Sequence, residues 1–375
     1  MAATTTIPPK MKAARVTAYN TPYTLTTIPT PTPTPSSLGP YDLLIKIAVA
    51  SHCHTDTMVA SGTFATALPC TGSHEGAGTV VSAGSSAATS FHPGDRVMCG
   101  IPLHPCGRCA DCDPTSPESQ RQYCTAITGH VGVTVDGCFA EYARVDARSS
   151  THVPDCVSLL SAAPLACAGR TAWRAVAQAG LQPGQTLAIV GSGGGLGHLA
   201  IQFAKGKGLF VVGVDARDEG LALSRDNGAD VVLDARKGKA AVVGEVQRLT
   251  DPAGVDAAIT LADADGAAAL ACAVTKPHGT MVQVAQPDEV RVPFQELIFR
   301  DIRIKGSLIC SYEESRDMMA FIAEHGVSVR TVPFYGLDRI HELVEAVEMG
   351  RISGKAAIVV DEEQLEREKE FGAKY

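Results

Sequence analysis

The chain has no excess of positive charge: 32 Lys and Arg stand against 40 Asp and Glu, a formal net charge of −8. A surface built to neutralise a phosphate backbone or an anionic bilayer is therefore excluded as its main partner face. No apolar run approaches the ~20 residues of a spanning helix. Met1-Ala-Ala-Thr-Thr-Thr-Ile has neither the basic start nor the apolar core of a secretory leader. No internal repeat is visible. What is present is 375 residues, 45% apolar and 19% charged, ordinary globular material sufficient for two cores. The expected location is the cytoplasm. Twelve cysteines there are metal ligands or buried thiols rather than a disulfide framework.

The most informative stretch is Val190-Gly-Ser-Gly-Gly-Gly-Leu-Gly197. A short apolar run, Leu187–Val190, precedes it and reads as a buried strand. His198–Lys205 follows with apolar residues at helical spacing. Leu209–Asp215 is a β-branched run that ends on an acid. Strand, glycine turn, helix, strand and terminal Asp within about 30 residues is the dinucleotide-binding βαβ pattern. Gly191, Gly193, Gly194, Gly195, Leu196 and Gly197 are the expected phosphate-binding turn, backed by a helix N-terminus. The run is one residue longer than G-x-G-x-x-G, so the pairing of glycines with phosphates stays open. Asp215 is expected to accept from the ribose hydroxyls and to repel a 2′-phosphate, which favours NAD(H) over NADP(H).

Cysteines and histidines fall into two groups. Cys53 follows a strand read over 41–50, His74 lies among glycines in Gly72-Ser-His-Glu-Gly-Ala-Gly78, and Cys167 lies in Pro164-Leu-Ala-Cys-Ala-Gly169. Each alone is unremarkable. Together, flanked by acids, they suit an open zinc site with one position left for substrate or water. Cys106, Cys109 and Cys112 form two successive C-x2-C steps, the pattern of a structural four-thiolate zinc. Cys124 is the expected fourth ligand, with Cys99 as the alternative.

Elsewhere, Pro29–Pro35 reads as an extended surface loop. After Asp215, helices (219–227, 240–249) alternate with strands (231–233, 257–261, 280–285, 302–306), the pattern of a doubly wound α/β sheet. A strand pair (332–334, 357–360) and a helix over 341–349 close the chain, and the charged 362–369 run reads as a solvated terminal helix.

These motifs, in this order, resemble the zinc-dependent medium-chain alcohol dehydrogenases, most closely the fungal, yeast-type branch. The resemblance runs from about Lys12 to Val360 and includes Cys53-His-Thr-Asp56, His74-Glu-Gly-Ala-Gly78, Cys167-Ala-Gly and Gly350-Arg-Ile-Ser-Gly-Lys355. It implies a GroES-like, mainly β catalytic domain (1–170 and 311–375, with a structural-zinc lobe over 99–125) and a Rossmann domain (171–310). It further implies two zincs per chain, the catalytic one on Cys53, His74 and Cys167. Glu75 would lie beside that metal, Asp56 would orient the His74 imidazole, and the Thr55 hydroxyl would receive the alcohol's proton. His54 and Lys355 match positions near the cofactor pyrophosphate, Thr171 one near the nicotinamide. The implied activity is hydride exchange between a small alcohol or aldehyde and nicotinamide, in a homotetramer or homodimer.

The chain departs from that pattern in four places. Gln120 occupies the usual spacing of the fourth ladder cysteine. Met58 replaces the relay histidine, so the proton leaves through water or another side chain. The segment before Cys106 is short and lacks a tryptophan, which with Phe64 implies a reshaped, roomier substrate pocket. Gly220 stands where a ribose-contacting lysine is common and Arg217 lies just past Asp215, which implies some tolerance of NADP(H). Two rival readings are an enoyl (C=C) reductase of the same superfamily and a non-catalytic zinc and dinucleotide binder acting as a redox sensor. The full ligand trio opposes the first; intact Thr55, Asp56 and Glu75 oppose the second.

Overall fold

The computed structural model describes residues 7–31, 38–113, 115–116, 119–250 and 252–374. Most of the proline-alternating loop expected at Pro29–Pro35 lies outside them. The chain divides into two units, 1–167 with 311–375, and 168–310. The first boundary, placed at 170/171 from the sequence, falls at 167/168.

The first unit is mainly β. Its central strand, Asp42–His52, is an almost unbroken apolar run and is buried on both faces. It pairs antiparallel with Glu75–Ala83, Lys355–Val359 and Tyr142–Asp146 in a seven-stranded sheet. The register sets Ser51 opposite Glu75 and His52 opposite Ala356. Glu75 and Lys355, far apart in sequence, thereby arrive on either side of one strand end. Ile45, Ile47, Val97, Phe139 and Ile358 belong to the core beneath it. The helix Leu159–Pro164 packs across Asp42–His52, Glu75–Ala83 and Lys355–Val359. It runs on into a π-helical turn, Leu165–Gly169, an irregularity that often marks functional positions.

The second unit is a six-stranded parallel sheet. Its order is Val231–Asp234, Phe210–Asp215, Thr186–Val190, Val255–Thr260, Thr275–Gln283, Arg303–Gly306. The crossover beside Thr186–Val190 makes the topological switch point at which doubly wound sheets bind ligands. Each strand lies near its expected place, and the helices Asp218–Asp226 and Lys239–Leu249 alternate with them.

The terminal helix corrects one expectation. Glu362–Glu368 forms as read, but it is not simply solvated: Gln364 and Glu368 are each 5% exposed. The Glu368 carboxylate accepts from Arg96 at 2.7 Å and from the Leu159 N–H at 2.8 Å. Composition shows a charged run; it does not show that one of its charges is paired inside.

Candidate active site and two cysteine clusters

Cys53 caps the helix His54–Ser61, on the turn that follows the central strand. Three residues on, Asp56 is buried and reaches back: Oδ2 accepts from the Cys53 N–H at 2.8 Å, and Oδ1 from the Ser73 N–H at 2.9 Å. Ser73 sits at φ +66°, a left-handed conformation that costs a non-glycine residue on the order of 1 kcal/mol. It is held there by Asp56 and by its own hydroxyl on the Ser51 carbonyl at 2.8 Å. His74 follows directly. Asp56 thus fixes the backbone on which two cluster residues are mounted. Its reach to the imidazole is longer than the resemblance implied: Oδ1 lies 3.8 Å from His74 Nδ1, within ion-pair range but beyond a hydrogen bond.

The packing around Ser73 explains two glycines that the sequence reading passed over. A Cβ on Gly132 or Gly137 would sit 2.2 Å from Ser73 backbone atoms. Segment 137–139 can then bond the Thr71, Gly72 and Ser73 carbonyls.

Cys53, His74, Glu75 and Cys167 bring their ligand atoms within 4.8 Å of one another. The Cys167 thiol beside Cys53 holds the Cys53 thiol well below its usual range, while the same contact pushes Cys167 up. Burial works against the His74 imidazolium, but the Asp56 carboxylate and Cys53 outweigh it and raise its pKa. His74 Nδ1 is also buried without a hydrogen-bond partner. Two soft sulfurs and one imidazole in a buried pocket fit zinc, with Glu75 at its side.

Glu75 itself is fully buried. Burial pushes its carboxyl up to about 7 against the pull of Lys355. Lys355 Nζ lies 2.9 Å from Oε1 and 2.8 Å from Oε2, and the Ser51 hydroxyl donates to Oε2 at 2.5 Å. Lys355, expected near the cofactor pyrophosphate, thus has Glu75 as a protein partner. Its ammonium is engaged at the cluster, because the sheet register brings it there and a buried carboxylate needs a counter-charge. Ser51 escaped the sequence reading, since no motif marks it.

The Thr55 hydroxyl lies 4.0 Å from Cys53 Sγ. His54, on the same turn, is exposed, and Met58 is half-buried one turn on. Phe64 is exposed on the loop after that helix.

Cys106, Cys109, Cys112 and Cys124 form the second cluster, again within 4.8 Å. The Cys106 N–H donates to Cys124 Sγ at 3.4 Å. Backbone N–H groups of Arg108 and Cys109 lower the Cys106 thiol to about 6, whereas burial raises Cys112 to about 12. Four sulfurs this close cannot all ionise without a cation between them. Cys99, the alternative ligand, lies elsewhere, buried in the apolar core.

In the second unit, Gly191–Leu196 form the turn and Gly197 starts a helix to Gly206. Gly191 has φ +86°. A Cβ on Gly193 would meet Gly220 O at 2.0 Å, and one on Gly197 would meet Gly191 O at 2.3 Å. Gly194 has no such need, its nearest neighbour being 3.5 Å away. Glycine is thus required at 191, 193 and 197, but not at 194. Asp215 closes the turn, accepting from the N–H groups of Gly193, Ala216 and Arg217. A Cβ on Gly220 would lie 2.3 Å from its carboxylate as placed here, so a side chain at 220 would require the Asp215 carboxylate to shift. A cavity of about 570 Å³ opens beside it, lined by Gly191, Gly194, Asp215, Arg217, Ala262 and Leu270 among others. Thr171 lies in the first turn of the helix Arg170–Gln178.

Comparison with known proteins agrees with this geometry. Residues 39–155 match the alcohol dehydrogenase GroES-like domain, and residues 195–324 match the zinc-binding dehydrogenase family. The chain is 34% identical over 334 residues to Alcohol dehydrogenase 1 of Emericella nidulans, covering 86% of this chain and 92% of that one. An alcohol dehydrogenase of Geobacillus stearothermophilus is 34% identical over 329 residues, with the same coverage. Among solved structures, the alcohol dehydrogenase of Aeropyrum pernix superposes with a TM-score of 0.82 at 30% identity, over 93% of this chain and 99% of that one. A cinnamyl alcohol dehydrogenase of Sorghum bicolor gives 0.81 at 28% identity, over 93% and 97%.

Proposed function

We infer the function of this chain from one premise: it belongs to the zinc-dependent medium-chain alcohol dehydrogenase family, and its activity is the oxidoreduction of alcohols. We propose that the reaction is centred on Cys53, His74 and Cys167. The observation that carries this reading is the convergence of two sulfurs, one imidazole and the Glu75 carboxylate within 4.8 Å. Bound there, zinc would supply Lewis-acid polarisation of the substrate oxygen, and the nicotinamide would supply or take the hydride.

The protein's own groups do the rest. Thr55 Oγ1, beside Cys53, receives the alcohol's proton. Met58 can carry no proton onward, so the proton leaves through water or another side chain. Asp56 keeps the backbones of Cys53 and Ser73 in place. Lys355 and Ser51 hold the Glu75 carboxylate. His54, and Thr171 in the second unit, serve the cofactor, and Phe64 lines the substrate pocket.

NAD(H) is the proposed cofactor. The Asp215 carboxylate at the glycine turn supports ribose recognition and disfavours a 2′-phosphate. Arg217 Nε lies 3.6 Å from Asp215 Oδ1, which softens that repulsion. A homodimer or homotetramer is also proposed. Among the described residues, the outer edge of strand Arg303–Gly306 pairs with no other strand. Phe294, Ile298 and Phe299 are exposed on the helix and turn that precede it in the chain. A second copy would cover both edge and apolar surface. No helix among the described residues is long and apolar enough to cross a membrane. Twelve cysteines outside disulfides, six of them in the two proposed zinc clusters, support a reducing compartment, the cytoplasm.

The test is NADH consumption by purified protein over a panel of aldehydes, ketones and enals, with products identified. Alcohol products are expected. Saturated carbonyl products from the enals, with no alcohol formed, would overturn the assignment in favour of C=C reduction.

A further inference from the structure

The C-terminal helix bears on a residue of the proposed site. Glu368 is buried, and its Oε2 accepts from the Leu159 N–H at 2.8 Å. Leu159 is the first residue of the helix Leu159–Pro164. An N–H there has no partner within its own helix, so the carboxylate fills an otherwise open donor. Ser158 caps the same end through the Ser161 N–H at 3.1 Å. Arg96 locks Glu368 in place: its guanidinium donates to Glu368 at 2.7 Å, to the Val157 carbonyl at 2.7 Å and to the Pro154 carbonyl at 3.1 Å. One partly buried cation thus ties the terminal helix to the loop that leads into Leu159.

The rest of the terminal segment is fastened equally firmly. Gln364 Oε1 accepts from the Thr79 hydroxyl at 2.6 Å, and Lys46 pairs with Asp361 at 2.6 Å. The Lys374 N–H donates to the Cys156 carbonyl at 2.9 Å. The start of the segment is thus anchored on the strands Asp42–His52 and Glu75–Ala83, and its later part grips the region just before the helix Leu159–Pro164. That helix lies on the strands that end just before Cys53 and begin at Glu75, and runs directly into the π turn that carries Cys167. A shift of Leu159 along its axis is passed to Cys167, because helix and π turn are contiguous: Pro164 at the junction donates no hydrogen bond, but the Leu165 N–H ties the turn back to the carbonyls of Ser161, Ala162 and Ala163.

We propose that residues 361–374 act as a brace that sets the position of Cys167 through the Arg96–Glu368–Leu159 contact, Glu368 being a positioning residue for the third zinc ligand. This rests on the reading of Cys53, His74 and Cys167 as the catalytic ligand set. A brace for a ligand alters how tightly the metal is held before it alters anything else.

The experiment is zinc release from the full-length protein to a chromogenic chelator, with no substrate present. The wild type gives two phases, assigned with Cys167→Ser and Cys106→Ser, each of which loses one. Glu368→Ala speeds the phase missing in Cys167→Ser by on the order of tenfold and leaves the other unchanged. Glu368→Gln, which keeps an acceptor for the Leu159 N–H, recovers most of the slow release. Equal acceleration of both phases in Glu368→Ala means general destabilisation and overturns the brace, as does no acceleration. Should Glu368→Ala fail to fold, Arg96→Lys decides the matter, since it loosens Glu368 and the brace requires it to speed only the Cys167 phase. Retention of both phases in Cys167→Ser would instead sink the ligand assignment itself.

Discussion

The two cysteine clusters solve one problem in opposite ways. Cys106, Cys109, Cys112 and Cys124 come from a single short loop, and the metal they would hold closes that loop on itself. Cys53, His74 and Cys167 come from a strand-to-helix turn, the entry to another strand and a π turn. No local stretch could assemble them. The first cluster needs zinc to have a structure; the second has its structure from sheet register, Asp56, Ser73 and a packed helix, and offers zinc a prepared place. A closed four-sulfur set suits a structural ion, and three ligands with a carboxylate at the side suit an open, reactive one.

Substitutions should separate the two. The largest effect is expected for Cys167→Ser: turnover should fall by more than about a hundredfold, beyond what loss of an outer partner brings. Cofactor binding by the second unit, followed by NADH fluorescence, should stay near wild type. Activity that survived the change would erase the distinction. Next, Cys124→Ser should release the ladder's zinc and lower the melting temperature by roughly 5 °C or more. Cys99→Ser should leave zinc content unchanged by elemental analysis, and the reverse result would move the fourth ligand to Cys99.

Asp56→Asn is the sharper test of preorganisation. It turns an amide donor toward one of two backbone N–H groups, at a cost of about 1–3 kcal/mol. Zinc affinity at the catalytic cluster should drop about tenfold, with the ladder's zinc unaffected. Equal loss at both sites would mean that Asp56 supports the unit as a whole. Ser51→Ala should have the smallest effect, removing one of the hydrogen bonds to Glu75, worth about 1 kcal/mol in a chemical-denaturation midpoint. A larger loss than Asp56→Asn would place Glu75 at the centre of the site's stability.

How much of this the sequence carried follows the same division. The ladder could be read directly, because its information is the spacing of three cysteines within one loop. The catalytic trio was legible only as a set, and the glycine turn by its flanking strand, helix and acid. The contacts made by sheet register were not legible. Nothing local to Ser51, Glu75 or Lys355 says that the register Ser51–Glu75 and His52–Ala356 will bring them together, so the Lys355–Glu75 pair is invisible in the sequence. Glu368 was read as solvated for the same reason: a buried charge pair has the composition of an exposed one. Which glycines are needed also waited for the structure, since it depends on Gly220 lying against Gly193.

The central claim is that the chain holds two zincs with separate duties. Stepwise chelation of purified protein, with zinc per chain, turnover and melting temperature recorded on each fraction, tests it most directly. The account predicts two zincs at the outset, one for each cluster, turnover falling in step with one ion and melting temperature with the other. A single zinc per chain, or activity and stability lost together with the same ion, would contradict it.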